Sequence, residues 1–252
     1  ISGREAARGT ATARELMAAL GLGEGDFAQL LAMPAARLVE AMRGRSWTPV
    51  VDGSVLPRDP FAPDAPPRSA ALPMVLGNTH DETTSLIGAV DPALFDLRME
   101  DVAGKLQQHV APFLGDLGAE RVTARYRAWY PRRSPAQLFF AASTAARSWK
   151  GMVLASDRRA AQDGPTWVYY VHWQSPLDGG RWGAPHTIDI PLLFGNLEHS
   201  AYTRDAGPEA GRLAVQMAVA LIAFARRGDP NSAGAAACPR FRLPRRAAMS
   251  FA

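Results

Sequence analysis

Residues 72–86 read "LPMVLGNTHDETTSL", an apolar run that breaks at Gly77 and is followed at once by His80, Asp81 and Glu82. "MVL" is brief, β-prone and flanked by turn residues, the pattern of a buried strand. Strands ordinarily end in small turn residues, so a cluster of titratable groups at a strand end calls for a chemical explanation. A second strand is predicted at "TWVYYVHW" (166–173), whose β-branched and aromatic residues suit a pleated surface. It leads into a Gly-rich loop, "SPLDGGRWGAPH" (175–186), that ends on His186 and continues into "TIDIPLLFG". Two short apolar strands, each delivering titratable residues to a loop and separated by helices, make an α/β pattern. In such sheets ligands and catalytic groups gather beyond the carboxyl ends of the strands. Glu82 and His186 both occupy such positions.

Outward from these strands the chain reads as helices and one ordered loop. "TATARELMAAL" predicts a helix with a threonine near its start and Gly21 at its close, and "MPAARLVEAMRG" a second, with Pro34 suited to the first turn and Gly44 to the stop. The proline-rich stretch 47–73 fixes φ at many positions and lacks backbone donors there, so it reads as an ordered loop with a short hairpin at Asp52-Gly53. From about Met99 to Asp163 the text is helical, with breaks at Pro131, at Ser134-Pro135 and at Gly164. The last long element runs from about Pro208 to Arg227, with Leu213, Met217, Leu221 and Phe224 along one face, and ends at Asp229-Pro230.

Composition excludes several classes of function. The 252 residues supply ample material for a core, and 47% hydrophobic with 21% charged residues is ordinary for a globular protein. The net charge of +4 comes from scattered arginines, without the concentrated patch that nucleic-acid binding needs. Cys238 is the sole cysteine, which rules out an intrachain disulfide and a thiolate metal cluster. "LAVQMAVALIAFA" (213–225) is too short to span a bilayer and contains Gln216, so it reads as a core helix. The chain opens on Ile1 and not on methionine, which predicts an excised piece of a longer protein. No feature assigns an oligomeric state or a compartment.

Ester or amide hydrolysis by acyl transfer needs a nucleophile, a base and an acid that orients the base. A carboxylate after one strand and a histidine after the next supply the last two, in the order acid then histidine that α/β hydrolases use. The nucleophile elbow G-x-S-x-G is absent: none of the serines stands between two glycines at the required spacing. The HGGG-type oxyanion loop is missing as well.

Five motifs now align in order. "ISG" (1–3) is similar to a "QSG" that follows the nucleophile elbow. "TPVVDGSVLPRDPF" (48–61) resembles a "P-V-x-D-G-x-x-L-P" loop, and "LGNTHDE" (76–82) a "G-x-N-x-D-E" segment. "GAPHTIDIPLLFG" (183–195) resembles "x-x-H-x-x-E/D-I-P-F-V-F-G", and "FARRGDPN" (224–231) "F-A-x-x-G-D-P-N". The sequence so resembles the C-terminal half of the type B carboxylesterase family, the p-nitrobenzyl esterase-like and cholinesterase-like proteins. That resemblance implies a partial α/β-hydrolase fold, with residues 1–252 as the C-terminal portion of a single domain whose nucleophile lies before Ile1. It implies Glu82 as triad acid, His186 as general base and Ser2 as a supporting group near the acid, with Ser85 and Leu86 lining the pocket. Their small, aliphatic character argues against a choline-selective aromatic gorge. Thr83 replaces a glycine common in relatives, a change of loop detail. The implied substrate is a small-molecule carboxylic ester, with no metal or organic cofactor and no nucleic acid or membrane span. On its own, such a chain is expected to be inactive.

Plainer readings stand beside these. Asp81 and Glu82 could be an acidic pair at a helix N-terminus, favoured by its dipole. His80 has no spaced histidine partner for a metal. His172 reads as a packed strand histidine, His109 and His199 as surface or loop residues, and Asp189 as a neighbour of the histidine loop. Trp167, Tyr169, Tyr170 and Trp173 read as core and flank. The competing class is a non-catalytic interaction domain of the same fold; such proteins often lose triad residues, and both downstream members are present here.

Overall fold

The computed structural model describes residues 3–45 and 47–252, and its contacts group into two units, 1–66 and 67–252. In the first, strand β1 (Arg4–Glu5) leads directly into helix α1 (Ala6–Ala19), followed by α2 (Phe27–Leu31), α3 (Ala35–Met42) and strand β2 (Val50–Val51). α1 starts before Thr10 and ends ahead of Gly21, whose φ of +73° glycine adopts without strain. Pro34 is the residue before α3, one position earlier than expected. The expected hairpin at Asp52-Gly53 does not form. Val50 and Val51 instead pair in parallel with Arg4 and Glu5, while Asp52 Oδ1 accepts the Ser54 and Leu56 amides and closes a tight turn.

The second unit carries the candidate site. Strand β3 (Met74–Thr79) runs into helix α4 (Glu82–Leu86), then α5 (Val102–Leu114), α6 (Gly118–Trp129) and α7 (Pro135–Thr144). α7 opens on a capping box, with Ser134 Oγ accepting the Gln137 amide and Gln137 Oε1 accepting the Ser134 amide. It continues through a π-helical turn, residues 145–149, into α8 (Lys150–Ala161). Strand β4 (Thr166–Val171), α9 (Asp189–Phe194), α10 (Gly207–Arg227) and strand β5 (Met249–Phe251) complete the unit.

Among the described residues, β3, β4 and β5 form a parallel sheet in that order, with Met74 opposite Thr166, Thr79 opposite Val171 and Val171 opposite Phe251. β4 is therefore central and paired on both sides, and β3 lies at the edge. Period-two alternation sorts its side chains. Tyr169 and Val171 pack with Leu192, Leu213 and Met217 of α9 and α10, with Ile188 just before α9 and with Phe251 of β5, while Val168 and Tyr170 face Met152 and Val153 of α8. Helices thus cover both faces, as a parallel sheet requires. A separate helical core of α5, α6 and α7 closes around Leu94, Leu106, Val110 and Phe139, all fully buried and each worth about 1.5–3 kcal/mol.

α10 runs for 21 residues over the element expected at about 208–227, and by length and composition it would reach across a bilayer, which the apolar stretch 213–225 alone would not. Here Leu213, Ala214 and Met217 are buried in the sheet-facing core. β4 stops at Val171, so His172 lies just past the strand, its amide donating to the Phe251 carbonyl. The residues just before β3 are anchored by Arg159, fully buried on α8, whose guanidinium donates to the carbonyls of Ser69 and Leu72.

Candidate active site

The strand end that opened the sequence reading folds into a compact acid site. β3 continues through Gly77 to Thr79, and the chain then turns so that Glu82 is the first residue of α4 and not, as expected, a loop residue. Gly77 is required by its neighbour: a Cβ there would collide with the Tyr169 ring lying against it. The Glu82 carboxylate is buried, and Oε1 accepts the Thr79 amide at 2.9 Å and the Asn78 Nδ2 amide at 3.1 Å. Oε2 meets His186 Nδ1 at 2.5 Å. Burial pushes the carboxyl pKa upward, but the bonds from His186, the Thr79 amide and Asn78 outweigh it, and the net result is lowered. Glu82 is thus held as a carboxylate.

His186 comes from the long loop after β4. Its imidazole pKa is raised, chiefly by the hydrogen bond to Glu82 and against a smaller effect of burial. Glu82 and Asp189 reinforce the raise through space, and Arg147 in the π-helical turn opposes it. A bond from Nδ1–H to Glu82 leaves Nε2 as the acceptor nitrogen. The residue after it, Thr187, has φ of +74°, a left-handed conformation that β-branched side chains rarely adopt. Local strain therefore sits directly beside the imidazole.

Two further layers surround the pair. Tyr169 donates its hydroxyl to Asp189 Oδ2 at 2.9 Å, and burial together with that carboxylate raises the phenol pKa. Behind the acid, Thr83 is fully buried, its Oγ1 lying 2.7 Å from Ser143 Oγ and 2.9 Å from Thr144 Oγ1 and donating to the Phe140 carbonyl. Thr83 is therefore more than the loop detail expected of it, since it links α4 to the C-terminal turn of α7. To the side, the His80 ring packs on His172 (5.1 Å) and edge-on to Trp149 (5.8 Å), whose indole donates to the Thr79 carbonyl. Burial and the neighbouring His80 lower the His172 pKa.

The other expected residues fall into place unevenly. Ser2 lies outside the described residues. Ser85 and Leu86 sit on α4 beside the acid: Ser85 Oγ donates weakly to the Glu82 carbonyl, at 3.4 Å, and Leu86 packs against the helical core. His109 is partly buried on a helix and not in a loop. It lies on α5 within 3.5 Å of Asp91 and edge-on to Phe139. His199 is exposed beside Glu198, as read. Burial, with Asp229 nearby, pushes the Cys238 thiol up to about 11, so it stays protonated at neutral pH. Among the described residues no group of three or more His, Cys, Asp or Glu side chains is arranged to hold a metal. Asn78, Tyr169 and Arg147 escaped the sequence reading; only Asn78 left a signal there, a polar side chain inside an otherwise apolar strand.

A parallel sheet layered by helices is also the architecture of solved relatives. The carboxylesterase family model matches residues 13–250. The chain belongs to the carboxylesterase family. The para-nitrobenzyl esterase of Bacillus subtilis is 25% identical over 236 residues, covering 88% of this chain and 45% of the relative. The phenmedipham hydrolase of Pseudarthrobacter oxydans is 26% identical over 253 residues, covering 92% and 48%. A carboxylesterase from Geobacillus stearothermophilus superposes with a TM-score of 0.73 at 27% identity, over 98% of this chain and 51% of that one. The chain spans about half the length of the curated relatives it matches. The fold is accordingly that of an α/β hydrolase in part, with its parallel sheet and surrounding helices.

Proposed function

We propose that this chain supplies the acid and the base of a Ser-His-Glu triad that hydrolyses small-molecule carboxylic esters, the serine being contributed by a segment outside these 252 residues. The observation that carries this reading is the 2.5 Å contact between Glu82 Oε2 and His186 Nδ1, made by a buried carboxylate and a half-exposed ring. Family membership supports ester hydrolysis, and the half-length coverage of the relatives supports a nucleophile from elsewhere.

In the proposed reaction His186 Nε2 takes the proton of the serine hydroxyl as its oxygen attacks the ester carbonyl. The tetrahedral intermediate collapses to an acyl-serine, and the same proton passes to the departing alcohol. Water then repeats the sequence and releases the acid. Glu82 keeps the proton on Nδ1 and stabilises the imidazolium while it exists. Its depressed pKa suits this role, because an acid that stayed neutral could not balance the ring's charge.

The test pairs two proteins. The 252-residue chain alone is expected to hydrolyse no p-nitrophenyl ester, whereas the chain joined to its preceding coding segment turns it over and loses that turnover on His186→Ala. Turnover by the chain alone that is lost on His186→Ala would place the nucleophile within it and overturn the proposal. So would a preceding segment with no serine in a G-x-S-x-G context.

A further inference from the structure

The carboxylate next to the acid makes contacts that neither a helix cap nor a surface residue would make. Asp81 precedes α4 as its N-cap, yet its side chain caps no helix amide. It reaches across to the histidine loop instead, where Oδ2 accepts the Ala184 amide at 3.0 Å while the Asp81 amide donates to the Ala184 carbonyl at 2.9 Å. Ala184 lies two residues before His186. Gly183, at φ +60°, presses its Cα against the same carboxylate, leaving no room for a Cβ. A second strap runs beside the first: buried Thr84 Oγ1 lies 2.7 Å from the Asp81 carbonyl and 2.8 Å from that of Trp182. The remaining oxygen, Oδ1, is 3.0 Å from His80 Nδ1.

We infer that Asp81 is a positioning residue for His186, holding the histidine loop to the acid strand end through bond geometry and not through its charge. The inference deepens the triad reading, and its catalytic consequence rests on that reading. The groups that act on the His186 ring are Glu82 from α4, Asp189 from α9 and Arg147 from the π-helical turn; Asp81 is not among them. Asp81 does act by charge on His172, raising its pKa. Besides its direct contact with His80, this carboxylate therefore acts on His186 and His172 by two different routes, and the routes can be separated.

Asp81→Asn keeps an acceptor for the Ala184 amide and removes the charge. Asp81→Ala removes both. The protein is labelled at histidine Cε1, the five histidine resonances are titrated by NMR, and His186 is assigned by its loss in His186→Gln. The expected result is that Asp81→Asn leaves the His186 midpoint in place while lowering that of His172. Asp81→Ala lowers both, with His186 returning toward an ordinary imidazole value near about 6.5. An unmoved His186 in Asp81→Ala overturns the inference, as does an equal fall in Asp81→Asn, which would make the action one of charge. If Asp81→Ala fails to fold, Asp81→Ser gives the same comparison, since serine caps a helix well but is too short to span to Ala184. In ester hydrolysis by the protein joined to its nucleophile segment, Asp81→Ala is expected to lower kcat by about 10–100-fold, the scale of a small misplacement, with KM unchanged and with Asp81→Asn restoring it. The titration reads the geometry whether or not any ester is cleaved, so a failure of the triad reading leaves it intact.

Discussion

Glu82 and His186 meet at 2.5 Å but are held in opposite ways. The glutamate side chain is 6% exposed, stands where a paired strand passes into a helix, and takes donors from the backbone and from Asn78. The histidine side chain is 47% exposed and hangs from a glycine-rich loop, secured by Glu82 on one side and by the Asp81–Ala184 pairing two residues earlier. The glutamate is a fixed charge built in at the strand end, and the histidine is an adjustable group referred to it. Perturbing Glu82 should therefore change how the imidazole titrates, whereas perturbing the loop should change where it sits.

The largest effect is expected from Glu82→Gln, which keeps shape and removes the charge. If the pair works as proposed, ester turnover falls on the order of 10³–10⁴-fold, the scale seen when a triad acid is neutralised. The acidic limb of the pH–rate profile moves to lower pH, because the bond that raises the His186 pKa is lost. Stability responds with its own pH window. The lowered Glu82 pKa contributes stability that is present above its ordinary value of 4.5 and is lost as pH falls through the folded value. The raised His186 pKa contributes stability that is fully present below 6.5 and is lost as pH rises through the folded value. The stability difference between wild type and Glu82→Gln should therefore be greatest between these two pH values and shrink on either side. Turnover needs the neutral ring and rises over the pH range in which the histidine contribution fades. Denaturation and rate measured across the same pH series check both halves. A difference that grows above the histidine range would sink the account of the pair.

A second change attacks the acid's support without touching its charge. Thr83→Val keeps the volume of a fully buried residue but strips the hydroxyl that Ser143 and Thr144 share. Leaving buried polar groups short of a partner costs about 1–3 kcal/mol, which chemical denaturation resolves. The bonds from Asn78, Thr79 and His186 to Glu82 do not pass through Thr83, so the His186 midpoint should stay in place. A midpoint shift as large as that in Glu82→Gln would mean that the acid is not rigidly held after all.

Much of this was readable in the linear text, and the parts that were not share a cause. Glu82 and His186 stand out because both fall in motifs that resemble the family's, one at the end of a strand and one in the long loop after the next. β4 and α7 announce themselves through alternation and through the Ser134-Pro135 cap. What escaped depends on partners far along the chain. β5 is three residues long and is a strand because Tyr169, Tyr170 and Val171 align with it. Val50 and Val51 carry no mark that favours a parallel partner at residues 4–5 over a hairpin. Asp81 looks like any acidic residue before a helix until the loop about a hundred residues later is laid against it. Tyr169 reads as core because nothing local shows that its hydroxyl will find Asp189.

The smallest effect bears on the histidine side of the comparison. Thr187 holds φ of +74° immediately after His186, whereas none of the residues from Met74 to Leu86 that build the acid site has positive φ. A left-handed conformation costs an L side chain roughly 1–2 kcal/mol, and glycine adopts it freely. Glycine also enlarges the unfolded ensemble, which takes back about 0.4–1 kcal/mol. Thr187→Gly should thus raise stability by about 0.5–1 kcal/mol, as a small rise in Tm or denaturation midpoint. The same backbone turn is available to glycine, and Ala184 is still clamped by Asp81, so the His186 midpoint should not move. A fall in that midpoint would show that the threonine side chain itself stiffens the loop, and that the strain helps to aim the ring. A loss of stability would show that Thr187 makes contacts worth more than its backbone conformation costs. An unmoved midpoint in a more stable protein would leave the Asp81 clamp and the Glu82 bond as sufficient to hold the base.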